Sequence, residues 1–475
     1  MPSQKEYNVA KQTNRKLFVK VNLLNYNYQV VDELSGVVVG SPTFTNNSSS
    51  DIRRTCSFSF VPTDKSFDIA YGSKIWLDKY IQVFVGIEEN RTKEIIYTNM
   101  GIYMIDNPSR VYASNNNTLT IQGIDLMAKM TGLRNGNLVG LEHIIHEGTN
   151  VRTAIIGTIE LAGFTKYVVE ECPFDVPNEI KIDVGGTVYD ILKQLLEIYP
   201  NYEMYFDVDG IFHYDMIPSG KNEQIRVSDD LWQSVLINYT INTNFDDVKN
   251  DIEVFGKTHD ISYYAIATES GNTYNLTIAD VTRLRNNLKI GFTAPNKLTN
   301  PLINLNSYGA KQLLEYDGTP AVLADDTNVY YVCKYIQDGD YFLFMGEVTP
   351  HGEAQDDNPQ SPFYVNGTMG KVRIVLQGGD YDNIYMSSLA KARADWELYN
   401  RCKVKDSINI TCVPIYWLDV NWLVEITLPN KQGTEETNQY IIKSINTTYG
   451  VSATQTIEMM RFYPLYEDGT DPQII

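Results

Sequence analysis

Histidine and cysteine are both scarce in this 475-residue chain, at five each. The cysteines, Cys56, Cys172, Cys333, Cys402 and Cys412, lie far apart and are odd in number, with no CxxC pair and no Cys/His cluster. That excludes a disulfide framework and a structural zinc site of the usual spacing, and it fits folding in a reducing cytoplasm. Basic residues are in deficit: 39 Lys and Arg stand against 59 Asp and Glu, a formal charge of −20. A protein that grips nucleic acid through its phosphates needs the opposite balance, so sequence-independent DNA binding is not expected. Long apolar runs are missing as well. No stretch approaches the roughly eighteen apolar residues of a membrane-spanning helix. Met1–Tyr7 lacks the apolar core of a signal peptide, so neither membrane insertion nor export by a leader is expected.

What is abundant points to β structure. Tyrosine numbers 33, hydrophobic residues make up 43% and charged residues only 21%, which describes a folded protein rather than a disordered one. The length predicts about three or four domains. Tyr, Val, Ile and Thr suit pleated, half-buried surfaces. From Lys16 to about Thr120 alternation predicts strand after strand: Leu17–Leu23, Thr55–Val61, Ile81–Ile87, Glu94–Thr98, Gly101–Ile105 and Thr118–Gln122. Polar turns at Glu89–Thr92 and Ser114–Asn117 separate them, and Asn46–Asp51 reads as an exposed loop. Short strands at this spacing predict a barrel or sandwich.

Between about 125 and 235 the period changes. Val151–Ala162 reads as a helix ended by Gly163. Thr187–Ile198 places Val188, Ile191, Leu192, Leu195 and Leu196 on one stripe, with Thr187 and Asp190 as its cap and Pro200 as its stop. The hairpin Glu203–Tyr214 follows, with Asp209-Gly210 predicting a primed turn. Asn250–Gly256 restarts β pattern. Residues 263–385 read as a Gly/Asn/Asp-rich insertion with short strands at Asn328–Cys333 and Tyr341–Phe344 and a loop at Thr349–Pro362. A helix near 387–401 then leads into the closing strands Val404–Cys412, Leu418–Pro429, Gln439–Thr448 and Ala453–Arg461, with Leu389, Ala392, Trp396 and Tyr399 on its docking face. No internal sequence repeat is visible, although a duplicated barrel would not show at this level.

Local chemistry is thin. Glu142–Glu147 holds the one His pair, His143 and His146, but a zincin needs its histidines four apart around a glutamate. Asp207–Gly210 resembles the opening of a calcium loop, yet the later bidentate glutamate is absent and Phe and Tyr flank the turn, so a hairpin is expected. Gly256-Lys257-Thr258 lacks the earlier glycine of a phosphate loop, Asp251 standing in its place, and Gly367–Lys371 is too short. No GxSxG occurs. Carboxylate pairs on a β scaffold could serve a glycosidase, but 59 acids offer such pairs by chance. No catalytic, cofactor-binding or metal-binding residue is assigned, and no cofactor is expected.

The order of modules resembles the baseplate hub proteins of tailed bacteriophages and phage-tail-like particles. Four features carry the resemblance: the β domain ending in Ile121–Met127, the helix and hairpin from Gly186 to Phe212, the strand Asn250–Gly256, and the Ala-rich helix before the closing strands. Hub sequences often place Gly-Asp before the strand that begins here at Leu423, where this chain has Asn421-Trp422. The resemblance implies a mainly β fold with two tail-tube-like antiparallel barrels, a small α+β domain and an inserted β-rich domain. The expected boundaries are 1–130 for the first barrel, 131–240 for the α/β domain, 241–262 with 386–475 for the second barrel and 263–385 for the insertion. Ile252–Phe255 is expected to pair with the closing strands. The resemblance also implies a non-enzymatic homotrimer forming a ring of six barrels between a sixfold tail tube and a threefold central spike. Its partners would be the tail tube protein, the spike or tail-tip protein and other baseplate proteins. DNA would pass through without specific binding. The location would be the virion tail baseplate, assembled in the host bacterial cytoplasm. A tail-associated carbohydrate-binding or cell-wall-degrading protein is the alternative.

Overall fold

The computed structural model describes residues 2–113, 116–138, 143–172, 175–176, 179–198, 201–315, 317–323, 329–403, 405–429, 433–450 and 452–464. Ser114, Glu142, Pro200, Asn328 and Val404, singled out above, lie outside them. Helix α1 (Gln4–Ala10) opens the chain, its end held by a reciprocal box between Ser3 and Glu6. Seven strands follow: β1 (Leu17–Leu24), β2 (Val30–Glu33), β3 (Val38–Asn47), β4 (Arg54–Phe60), β5 (Tyr80–Glu88), β6 (Ile95–Ala113) and β7 (Asn116–Ile124). The small α/β module contains α2 (Val151–Leu161), α3 (Val188–Ile198), and β8 (His143–Ile145), β9 (Tyr167–Val169), β10 (Ile180–Ile182), β11 (Tyr202–Phe206) and β12 (Phe212–Met216). Helix α4 (Asp229–Val235) runs directly into β13 (Leu236–Asn244).

The described residues up to Phe245 and from Lys405 onward form one compact unit, and Asp246–Val404 form a second. The second unit holds β14 (Asp251–Phe255), eight short strands, β23 (His351–Gln355), β24 (Arg373–Leu376) and α5 (Ser387–Arg401). The eight are β15 (Tyr264–Ile266), β16 (Thr268–Ser270), β17 (Thr273–Leu276), β18 (Lys289–Thr293), β19 (Leu302–Leu305), β20 (Lys311–Leu314), β21 (Tyr330–Ile336) and β22 (Tyr341–Glu347). They form one sheet around a core that includes Tyr274, Phe292, Tyr331 and Phe342. The first unit is completed by β25 (Lys405–Cys412), β26 (Leu423–Pro429), β27 (Glu435–Thr448) and β28 (Gln455–Arg461).

Strand pairing in the first unit shows a duplication. In the first barrel β3 pairs with β4, β4 with β7, β7 with β6 and β6 with β5. In the second, β13 pairs with β25, β25 with β28, β28 with β27 and β27 with β26. Five strands thus follow one scheme twice, every pair antiparallel. Burial repeats with it: Cys56, Phe58 and Phe60 face the first core, and Ile408, Ile410 and Cys412 face the second. Period-two alternation places each trio on one face of its strand. The two barrels join edge to edge, because the far half of β27, Ser444–Thr448, pairs with β3 at Asn47–Thr43. Helix α1 packs at this join, Val9 entering one core and Ala10 the other.

Several expectations are met in detail. Val188, Ile191, Leu192 and Leu195 are buried on α3. Thr187 and Asp190 bond reciprocally, the Thr187 N–H donating to the Asp190 carboxylate at 2.7 Å and the Asp190 N–H to Thr187 Oγ1 at 3.1 Å. Gly163 follows α2 in the left-handed region at φ +80°.

Three expectations are corrected. Ile252–Phe255 does not pair with the closing strands: β14 lies between β23 and β24, and β13 fills the barrel position instead. The hairpin turn is not primed, since only Gly210 has a positive φ, at +73°. The Gly210 N–H bonds to the Asp207 carbonyl and the Asp207 N–H to that of Ile211, the pattern of an ordinary turn closed by a glycine bulge. The docking face of α5 is Leu389, Ala390, Ala394 and Glu397, whereas Ala392, Trp396 and Tyr399 are only half-buried. The reason is a close approach: a Cβ on Gly352 of β23 would sit 2.2 Å from the Ala390 carbonyl carbon. Only the small-residue face of the helix tolerates that spacing. Glu397, buried on this face, is matched by Arg393, Arg401 and the Tyr381 hydroxyl.

Candidate functional site at the barrel junction

The α/β module and both barrels meet at the start of β4. Arg54 shares a face with Cys56, Phe58 and Phe60, so alternation drives a guanidinium toward the interior. A buried charge survives only when paired and fully bonded. Here Arg54 Nη1 donates to the Phe206 carbonyl of β11, and Nη2 pairs with Asp419 at 2.5 Å, ahead of β26. Its backbone N–H donates to Asp125 at 2.9 Å, and that carboxylate also caps the turn at Met127. Burial raises the Asp125 carboxyl above its ordinary range, against the pull of those two N–H groups. For Arg54, burial works to lower the guanidinium, but Asp419 and its other neighbours outweigh it and the net shift is upward.

Arg53, on the opposite face, is equally engaged. It pairs with Glu203 of β11 and lies 4.2 Å over the Tyr205 ring. Glu203 also accepts from Asn421 Nδ2 at 2.5 Å, and Asn421 Oδ1 accepts from Lys443 of β27 at 3.2 Å. Asn421 adopts φ +58°. Asparagine tolerates this left-handed conformation better than most residues, and its amide here gains two partners. One network therefore ties the first barrel, the second barrel and the α/β module together.

Beside it lies a cavity of about 230 Å³, lined by Glu6, Arg54, Tyr416, Trp417, Asp419 and Gln455 among others. Asn46 and Trp417 also line it, and their Oδ1 and Nε1 atoms are buried without a hydrogen-bond partner among the described residues. Such a lining suits ordered water rather than an apolar ligand.

On β12, His213 stacks on Tyr205 at 5.0 Å and bonds to Asp207 at 3.2 Å and Asp215 at 3.1 Å. Burial alone would lower the imidazole, but the two carboxylates win and raise it from 6.5 to about 9. A folded pKa above the unfolded one means that this stabilisation is full below about pH 6.5 and is lost as the pH climbs through about 9. Discounted for solvent screening of this half-buried cluster, the shift corresponds to on the order of 1–3 kcal/mol. His213→Gln is expected to flatten that slope; urea unfolding at about pH 6 and about pH 9.5 checks it. An unchanged slope in the variant would mean that His213 is not its source.

The motifs considered at the start fall elsewhere. Asp207 Oδ1 accepts the N–H groups of Asp209 and Ile211, so this carboxylate is occupied within the hairpin. His146 is exposed and faces Glu179 at 3.5 Å, while His143 lies on β8. Among the described residues no group of three or more metal-capable side chains converges. None of their helices is long and apolar enough to cross a membrane. The junction residues Arg53, Arg54, Glu203 and Asp419 were not foreseen; the available signal was a charged Arg54 in phase with three core residues.

A family model described as a domain of unknown function (DUF5048) matches residues 360–466, which covers α5 and the closing strands of the second barrel. No curated protein matches the chain. Among solved structures, the prophage MuSo2 43 kDa tail protein from Shewanella oneidensis aligns over 93% of this chain and 98% of its own, with a TM-score of 0.50 and 9% identity. The chain has the fold of a phage tail protein. The mainly β architecture matches that of this tail protein, and at this level the resemblance read from the order of modules holds. A tail protein from Neisseria meningitidis MC58 aligns over 94% of this chain and 96% of its own at 10% identity and a TM-score of 0.48. Prophage tail protein gp18 from Listeria monocytogenes EGD-e aligns over 94% and 95% at 7% identity and a TM-score of 0.42.

Proposed function

We propose that the protein is the structural hub of a phage or phage-like tail baseplate. In this reading three chains form a ring that joins the sixfold tail tube to the threefold central spike and leaves a channel for DNA. The observation that carries it is the duplicated barrel, two units of one topology joined edge to edge within a single chain. Three such chains present six similar units, which is what an adaptor between sixfold and threefold partners requires. The formal charge of −20 supports the channel, since phosphates are repelled by such a wall rather than held.

The partners are two further copies, the tail tube protein, the spike or tail-tip protein and other baseplate proteins. The place is the virion tail, with assembly in the host bacterial cytoplasm, and the role is structural rather than enzymatic. Residues 1–130 and the closing barrel build the ring, the α/β domain fastens them, and the unit from 246 to 404 serves contacts with other baseplate proteins. Negative-stain microscopy and native mass spectrometry of the purified protein test this. The expected result is a threefold ring with a central hole that co-sediments with tails. A monomer at every concentration that never accompanies tail particles would remove the reading. Hydrolysis of peptidoglycan that one carboxylate substitution abolishes would favour the enzymatic alternative.

A further inference from the structure

The join between the barrels uses one edge of each repeat and leaves the matching edges open. In the repeat, β3 corresponds to β13 and β6 to β27, and the registers align them residue by residue. Phe44 lies opposite Cys56, and Ile241 lies opposite Ile408, at the same place in its barrel. Yet Phe44 is 5% exposed beside β27, whereas Ile241 is 48% exposed. No strand lies along the outer side of β13 among the described residues. On β27, Ser444–Thr448 lie beyond the last residues paired with β26 and take β3 as a neighbour. On β6, the residues beyond Met104 have lost β5 and have no strand on that side among the described residues. Both long strands carry a register shift soon after this point, between Asp106 and Ser109 and between Ile442 and Ser444.

Two independent features mark these edges as unfinished. β13 reads Leu236-Ile-Asn-Tyr-Thr-Ile-Asn-Thr-Asn244, without a charge, proline or glycine, and Ile237, Ile241 and the adjoining Phe245 are all exposed. An exposed edge strand with no such protection is a template for pairing with another chain. Along the free side of β6 lies a cavity of about 280 Å³ lined by Ile69, Ile75, Trp76, Leu77, Ile105 and Pro108, among others, with Ile69 and Leu77 exposed. An apolar ridge thus lies on one of the two matching edges and a largely apolar groove on the other, with Asn107 and Arg134 as the polar part of its lining.

We infer that the outer edge of β13 in one copy pairs antiparallel with the far half of β6 in a second copy, repeating between chains the β3–β27 join within the chain. This deepens the ring reading above and rests on it. The repeat sets the register. Thr45 and Asn446 face each other in the internal join, their side chains bonded at 3.2 Å. Their counterparts across the new interface are Asn242 and Ser109. Pro108, which corresponds to Ile445, leaves this ladder one donor short. The contact is head-to-tail, so it propagates and can close into a ring of alternating internal and external joins.

Disulfide trapping in the full chain tests it, in a Cys402→Ser background because Cys402 is the one native cysteine not fully buried. The variant Ser109→Cys with Asn242→Cys is expected to give, under mild oxidant, a ladder of covalent oligomers on non-reducing gels. Mixing the two single variants should give only the covalent dimer, and each alone none. Ile241→Lys, at an exposed site, is expected to weaken self-association at least about tenfold. Cross-linking of Asn242→Cys with itself would overturn the inference in favour of a symmetric β13 pair. A ring by native mass spectrometry without the 109–242 cross-link would overturn this interface while the ring survives. Monomers at every concentration without any cross-link would remove both.

Discussion

Arg54→Met is expected to lower the unfolding free energy of the first unit by about 3–5 kcal/mol, the usual cost of breaking a buried ion pair by removing one partner. The guanidinium of Arg54 is 5% exposed and Asp419 20%. Methionine fills much of the volume, so the loss is electrostatic rather than a cavity. It takes the ion-pair partner from the Asp419 carboxylate, which keeps only the Asn46 Nδ2 and Val420 N–H donors on its other oxygen, and removes a donor from the Phe206 carbonyl. The pair Lys5–Glu94 supplies the contrast, with a short 2.8 Å contact but 65% and 51% exposure. Lys5→Met should therefore cost no more than about 1 kcal/mol. The double variant Arg54→Met with Asp419→Leu should recover much of the loss, because hydrophobic replacement of a whole buried pair is often neutral. Urea unfolding of the wild type, the single variants Arg54→Met and Asp419→Leu and the double variant measures the cycle. A loss below about 1 kcal/mol for Arg54→Met would show that the three modules are held together by packing alone.

The junction explains which parts of the fold were legible in the sequence. Strand β4 alternates throughout, and β7 and β28 along most of their length, because one face meets a core and the other does not, and such strands announce themselves. The apolar stripe of α3 and its Thr187–Asp190 cap are local and were equally readable. β13 was not placed, because its apolar residues Ile237 and Ile241 alternate over a short stretch that follows α4 without a break. Its position in the barrel depends on β25, which lies more than 160 residues later in the chain. The error over Ile252–Phe255 has the same origin: the strand was correct, but its partners β23 and β24 lie within the second unit. Pairing over such distances leaves no local trace. The ion network failed for a related reason, since Arg53, Glu203 and Asp419 look like ordinary surface charges until three modules meet around them. The duplication was hidden because the repeat is one of topology, with Cys56 and Phe58 answered by Ile408 and Ile410.

Gly352→Ala is expected to be as damaging to the second unit, by about 3 kcal/mol or more, although it adds a single methyl group. The added Cβ would lie 2.2 Å from the carbonyl carbon of Ala390 and from the backbone nitrogen of Lys391. Those atoms belong to the helix itself, so no side-chain rotation relieves the contact, and α5 must lift from β14 and β23. Lifting it exposes Ala390 and Ala394 and uncovers Ile252, Val254 and Ala354 beneath them. Ala390→Gly in the same chain should not rescue the variant, because the clash is with the main chain and not with the alanine methyl. The same substitution reverses sign at Gly157, within α2, where an added Cβ meets nothing within 4 Å. There Gly157→Ala should stabilise by about 0.5–1 kcal/mol through helix propensity alone. Trp396 is the one tryptophan of the five that lies in the second unit. Its fluorine signal in 5-fluorotryptophan-labelled protein should shift and broaden in Gly352→Ala, while that of the fully buried Trp232 stays fixed. An unchanged Trp396 signal and unchanged stability would mean that α5 docks with more clearance than this close approach allows.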